Sequence, residues 1–167
     1  LDTAQDYGDA EELINYNSKI KEQFKINTKI NFQTEEFYSN HPLPSMERKF
    51  DESLSKLDTH SINGLLIHNG YILNKDSYGL IKWLKTCKER KKIQIFGASL
   101  YEDSKIDEEI FKHLDFIQIP FSIFNQNCEK NNVVQLCRKY KVSIHVRSIF
   151  CQGLVLAKTQ NLPDWLG

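Results

Sequence analysis

Four side chains in the first half of the chain could work together on a proton: Asp2, Tyr7, Lys29 and His68. A free tyrosine titrates near ~10, too high for ready proton donation at neutral pH. An ammonium within a few ångströms favours the phenolate, and an aspartate beside that ammonium keeps it charged and in place. A histidine can hydrogen-bond a substrate oxygen and orient it. The set suits acid-assisted reduction of a carbonyl, with hydride supplied by a nicotinamide. Each residue alone has a plainer reading. Asp6-Tyr7-Gly8 reads as a turn, Lys29 as a solvated strand-end charge, and His68 as a half-buried, hydrogen-bonded histidine. The signal is their conjunction, each at the end of an extended run.

Those runs must come from elements that place them together. Strands are expected at Lys25–Ile30, Gly64–His68, Ile93–Gly97, Phe116–Ile119 and Ser143–Arg147, with Leu1–Thr3 as the tail of an earlier one. Several are almost wholly apolar, as parallel strands covered on both faces should be. Between them lie amphipathic helices. Met46, Phe50, Leu54 and Leu57 form one stripe, opened by Pro44-Ser45. Leu80, Ile81, Leu84 and Cys87 form the next, and Val133, Val134, Leu136, Cys137 and Tyr140 the last. Asp103–His113 reads as a weaker helix whose face is Ile106, Ile110 and Phe111.

This βα repeat leaves an open doubly wound sheet or a (β/α)8 barrel. No G-x-G-x-x-G follows a strand, which weakens the open sheet. Each strand instead closes on a polar residue: Asp2, Lys29, His68, Ser99, Gln118 and Arg147. Active sites of barrels are built from such strand ends, so the expected fold is an α/β (β/α)8 TIM barrel. Gln118 has a plainer reading too, as a core polar group satisfied by a local network. A full barrel takes ~250 residues, and about five and a half βα units are legible in this chain. The expectation is a fragment: residues 1–167 form one partial barrel domain, running from the second strand to just after the seventh.

Composition narrows the partners. The 22 basic residues balance 22 acidic ones, so no net charge recruits nucleic acid or an anionic membrane surface. Only Arg48, Arg90, Arg138 and Arg147 offer guanidinium forks. The apolar runs fall short of a membrane span, and no signal peptide is legible. Cys87, Cys128, Cys137 and Cys151 lack metal-type spacing and read as reduced thiols in a cytoplasmic protein. No metal site is expected, since only Asp2 and His68 are ligand types at strand ends. His41, His60, His113 and His145 lack ligand spacing. The run Lys88-Glu89-Arg90-Lys91-Lys92 reads as a solvated helix end favoured by the helix dipole.

At this point the residues resemble the aldo-keto reductases. Leu1-Asp2-Thr3-Ala4-x-x-Tyr7-Gly8-x-x-Glu11 is similar to that family's second-strand signature, and Thr28-Lys29 to its lysine strand. Ser53-Leu54-x-x-Leu57 followed by Leu65-Leu66-Ile67-His68 is similar to the signature that ends in its histidine. Gly97-Ala98-Ser99 and Ile117-Gln118 resemble the strands that hold the nicotinamide carboxamide. The resemblance runs from Leu1 to Leu156 and keeps family order. Ser99-Leu100-Tyr101-Glu102, Gln118 to Phe124 and Val146 to Leu154 resemble a bacterial subgroup found with surface-polysaccharide and nucleotide-sugar genes.

The resemblance implies catalytic roles for Asp2, Tyr7, Lys29 and His68. Tyr7 would be the general acid, Lys29 its activator, Asp2 the partner of Lys29, and His68 the group that positions the carbonyl. Asp2, Ser99, Gln118, Arg147 and Ser148 would contact the cofactor, NADPH with NADH as the alternative. The substrate would be a small carbonyl compound, sugar-derived by the subgroup likeness. Leu100 departs from the family's asparagine, and Arg147 from a tyrosine that stacks on the nicotinamide, although a guanidinium plane can also stack. Arg147 reads equally well as a structural ion pair. The rival readings are a non-catalytic nicotinamide-binding barrel, serving as redox sensor or regulatory subunit, and an inert fragment.

Overall fold

The computed structural model describes residues 1–31, 42–74, 77–101, 106–130 and 132–157. Five parallel strands lie in sequential order: β1 (Asn27–Ile30), β2 (Ile62–Ile67), β3 (Ile93–Ser99), β4 (Phe116–Pro120) and β5 (Ser143–Arg147). Residues 1–5 run beside β1 in the same direction. Asn27 donates to the Leu1 carbonyl at 2.8 Å, Thr3 to that of Asn27 at 2.9 Å, and Gln5 to that of Lys29 at 3.0 Å. Parallel strands in chain order, each joined to the next by helix, are the wall of a (β/α)8 barrel, here incomplete.

The helices are α1 (Ala10–Tyr16), α2 (Ser18–Gln23), α3 (Pro42–Lys56), α4 (Ser77–Glu89), α5 (Glu108–Phe111), α6 (Asn127–Lys130) and α7 (Val133–Tyr140). Single 3-10 turns occupy Gly70–Asn74 and Cys151–Leu156. The first two expected stripes are buried: Met46, Phe50 and Leu54 from α3 with Leu57 just beyond it, and Leu80, Ile81, Leu84 and Cys87 from α4. Of the last, Val133 and Cys137 from α7 are buried, while Val134, Leu136 and Tyr140 are half-buried. The buried residues meet Leu65, Ile67, Phe96, Ala98, Ile117 and Ile119 on one face of the sheet. Full burial of such a side chain contributes roughly 1.5–3 kcal/mol, so this layer carries much of the fold.

Several boundaries move. Helix α3 begins at Pro42 rather than Pro44, since an imino residue costs nothing in a first turn whose N–H groups have no partner. Strand β1 is shorter than expected, β2 starts two residues earlier, and β3 runs on to Ser99. The expected helix 103–113 reduces to α5, with residues 103–105 outside the described set. Helices α1 and α2 carry no long apolar stripe and were not legible; α1 buries only Ile14 and Glu11. Strand β5 is more exposed than a doubly covered strand, because among the described residues it pairs with β4 alone.

Three helices turn back toward the sheet through left-handed residues that are not glycine: Asp58, Lys91 and Lys141. At α4 the Lys91 amide donates to the Lys88 carbonyl and the Lys92 amide to that of Cys87, both at 3.0 Å, which satisfies the helix's last carbonyls. The basic run that follows is not merely solvated. Lys88 pairs with Asp115 at 2.7 Å and Lys92 with Asp51 at 2.8 Å, tying the helix end to its neighbours.

Candidate active site

Strand alternation decides which side chains share a face. The register aligns Lys29, Leu66, Gly97, Phe116 and Ser143 in one row across the sheet. Two residues further along each strand lie Ser99, Gln118 and His145, and His68 falls in line with them because Ile67 pairs with Ala98. Arg147, paired with Pro120, forms the next row. Side chains two apart point the same way, so Lys29, His68, Ser99, Gln118 and Arg147 all leave the face opposite the helices, near the C-terminal strand ends.

Two glycines let this face close up. A Cβ at Gly97 would stand 1.8 Å from the Phe116 carbonyl oxygen, so only glycine lets β3 and β4 approach. A Cβ at Gly64 would stand 2.5 Å from Asn27 Oδ1 and 3.1 Å from Phe116 Cζ, so the second glycine makes room for the Phe116 ring.

Lys29 is the centre of the arrangement. Its side chain is 1% exposed, yet its ammonium is well partnered. Nζ donates to Asp2 Oδ2 at 2.6 Å and to the Thr3 carbonyl at 2.8 Å. Its third direction reaches the Tyr7 hydroxyl at 3.5 Å, and it lies 4.8 Å from the centre of the Tyr7 ring. A buried charge needs such partners, since desolvation would otherwise cost several kcal/mol. Tyr7 itself is half exposed, open to a reactant from solvent. The loop that carries it is pinned by its own backbone: the Tyr7 amide donates to Ala4 and the Ala10 amide to Tyr7. Gly8 takes φ +59, a left-handed turn that suits glycine.

His68 packs edge-on against Tyr7, with ring centroids 6.1 Å apart. Burial, opposed by the Asp6 carboxylate and reinforced by Lys29, holds the imidazole below its ordinary range. Its Nδ1 lies 3.1 Å from Asp6 Oδ2. Asp6 was not among the expected site residues. Its place inside a turn gave no sign of a partner 62 positions away in sequence.

Ser99 and Gln118 are buried neighbours in register. Among the described residues Gln118 Oε1 has no hydrogen-bond partner although it is fully enclosed, so the plainer reading of a locally satisfied core amide is not met there for that atom. Arg147 donates to the Leu100 carbonyl at 3.2 Å and lies 5.0 Å from the Tyr101 ring centre. These partners are a backbone oxygen and an aromatic face. Ser148 is exposed, in a left-handed conformation at φ 61, and closes a turn in which Cys151 donates to its carbonyl at 3.0 Å. Asp2, Tyr7, Lys29 and His68 thus come together, Ser99 and Gln118 stand beside them, and Ser148 projects to solvent.

Glu11 is structural in this setting. It is buried and accepts a 2.6 Å hydrogen bond from Thr28 Oγ1, which ties α1 to β1. His145, in line with Ser99 and Gln118, packs against Phe116 with ring centroids 4.8 Å apart and planes tilted by 46°. Among the described residues no group of His, Cys, Asp or Glu is placed to hold a metal ion, and no helix is long and apolar enough to cross a membrane. None of the four cysteines is in a disulfide.

The model of the aldo/keto reductase family matches residues 1–165, and the chain belongs to that family. A search of curated proteins returned no match. Among solved structures the chain is similar to the holo form of an aldo-keto reductase from Bacillus halodurans. That likeness has 22% identity and a TM-score of 0.77, covering 98% of this chain and 56% of that one. It is also similar to an aldo/keto reductase from Klebsiella pneumoniae in complex with NADP and acetate. Here the identity is 18% and the TM-score 0.71, over 96% of this chain and 57% of that one. The chain therefore spans little more than half the length of these two proteins, and the likeness supports the fold: an incomplete aldo-keto reductase barrel.

Proposed function

We propose that the protein is an NADPH-dependent oxidoreductase that reduces a small aldehyde or ketone with Tyr7 as proton donor. The observation that carries this reading is the buried Lys29 ammonium, held by Asp2 and the Thr3 carbonyl with the Tyr7 hydroxyl in reach. When Tyr7 gives its proton to the carbonyl oxygen, a negative charge forms on the phenolate. Lys29 is already fixed beside it, so the charge is stabilised without reorganisation. Asp2 anchors the ammonium through its 2.6 Å contact. His68 borders the same space, and its imidazolium form donates to the reacting oxygen.

The residues present fit a nicotinamide. Gln118 Oε1 is a buried acceptor without a donor among the described residues, and a carboxamide N–H would satisfy it, with Ser99 offering a hydroxyl alongside. When bound, the nicotinamide supplies the hydride. Arg147, with its planar guanidinium at the next strand end, and Ser148 complete the proposed contacts. NADPH is preferred over NADH on the family and on the Klebsiella relative described with NADP. The substrate is taken to be sugar-derived, on the likeness to the polysaccharide-associated subgroup. Residues 1–167 act as one partial barrel domain, and four cysteines outside any disulfide favour a cytoplasmic setting.

NADPH oxidation against a panel of aldehydes, ketones and sugar-derived carbonyls tests the reading. Turnover is expected for at least one class, and Tyr7→Phe should lose about 100-fold or more of it, the range of general acid catalysis, with NADPH affinity nearly unchanged. NADPH binding without turnover across the panel would instead support the sensor or regulatory reading. Full activity in Tyr7→Phe would remove the tyrosine mechanism.

A further inference from the structure

We propose that Asp6 is a positioning residue whose carboxylate holds His68 in the Nδ1–H tautomer, leaving Nε2 as a lone-pair acceptor. The Nδ1 to Oδ2 distance is 3.1 Å, and an ionised carboxylate can only accept, so the shared proton belongs to His68 Nδ1. A neutral imidazole has one N–H, and Asp6 takes it.

The consequence concerns what the ring can offer a reactant. A carbonyl oxygen also only accepts, so a neutral His68 and a carbonyl cannot hydrogen-bond through Nε2. The imidazolium has both N–H groups and can serve Asp6 and a carbonyl oxygen together. A substrate alcohol is the reverse case: its hydroxyl donates, and the neutral ring accepts. His68 thereby becomes a proton-state selector, matched to carbonyl substrate when charged and to alcohol when neutral. The charged groups that face it act in both directions. Asp6, in the loop before α1, favours the imidazolium, while Lys29 on β1 and Arg147 on β5 oppose it. The Tyr7 ring packs edge-on beside it. The side chain is only 15% exposed, so water does not level these influences.

The catalytic consequence rests on the reductase reading, but the tautomer does not, and the test separates them. The full chain is labelled with 15N-histidine and its long-range proton–nitrogen correlations are recorded without cofactor or substrate near neutral pH. The His68 signal is identified by its loss in His68→Gln. The expected spectrum shows a protonated Nδ1 and a lone-pair Nε2. In Asp6→Ala the ring should shift toward Nε2–H, and its titration should move to lower pH. Asp6 lies at a half-exposed position, so truncation leaves the core untouched. An Nε2–H ring in the parent protein, or an unchanged spectrum in Asp6→Ala, overturns the assignment. In parallel, carbonyl reduction by the parent should fall as pH rises through the His68 titration, with that limb displaced to lower pH in Asp6→Ala. The expected spectrum without any turnover counts against the reductase reading and leaves Asp6 in its role. Turnover with an Nε2–H ring does the opposite.

Discussion

Lys29 and Asp2 form one ion pair with two very different environments, and the difference has a measurable sign. The Lys29 side chain is 1% exposed and that of Asp2 39% exposed. Removing Asp2 leaves an ammonium buried with only the Thr3 carbonyl and a distant phenol hydroxyl. Breaking a buried pair in that direction costs about 3 kcal/mol or more. Removing Lys29 instead frees a carboxylate that water can reach, while a methionine fills the vacated space. Urea denaturation should therefore find Asp2→Ala less stable than Lys29→Met, although both should lose turnover under the proposed mechanism. The opposite order of stabilities would mean that Lys29 is held by packing and not by its ion pair. Of the residues in this cluster, Asp2, Lys29 and His68 were legible because each closes an extended run, and Tyr7 because it follows Asp2 at the family's spacing. Asp6 was not, because its partner is distant in sequence and its Asp-Tyr-Gly setting has a sufficient local explanation as a turn.

At the scale of elements, the approach of β3 to β4 depends on one missing methyl group. A Cβ at Gly97 would collide with a backbone oxygen, which can move only if the strands part. A Cβ at Gly64 would first meet the end of the Asn27 side chain, which can rotate away. Overpacking costs typically about 1–3 kcal/mol, and Gly97→Ala should lie at or beyond the upper end while Gly64→Ala falls below it. Chemical denaturation midpoints of the two variants decide the order, and equal losses would show that the strands yield easily. The strands and the long helices were legible from their apolar patterns. Helices α1 and α2 were not, because short helices with one or two buried positions have no period to read. The extent of β3 was underestimated for a related reason: Ser99 is polar but interior, where a barrel keeps its chemistry.

Across the whole molecule, two histidines link the fold to pH. His68 and His113 are both held below their ordinary value, each chiefly by desolvation, with Lys85 adding to the effect at His113. The unfolded chain binds protons at these rings below about 6.5, where the native state still resists them. Stability should therefore be fully present above that pH and fall as the pH drops through the lowered native values. Urea midpoints measured between pH 5 and pH 7 should rise with pH, and the slope should flatten in His68→Gln. A slope that His68→Gln leaves unchanged would assign the effect to other groups.

The sequence by itself determined the βα order, the family, and which polar residues close its strands. Those properties depend on residue type and on spacings of a few positions, which the chain carries openly. Only the tertiary structure decided who touches whom: the Lys29 ammonium between Asp2 and Tyr7, the unpartnered Gln118 oxygen, Arg147 laid on Tyr101, and the Asp6 carboxylate on His68. Such contacts depend on strand register and loop path, set by the packing of the whole sheet against its helices.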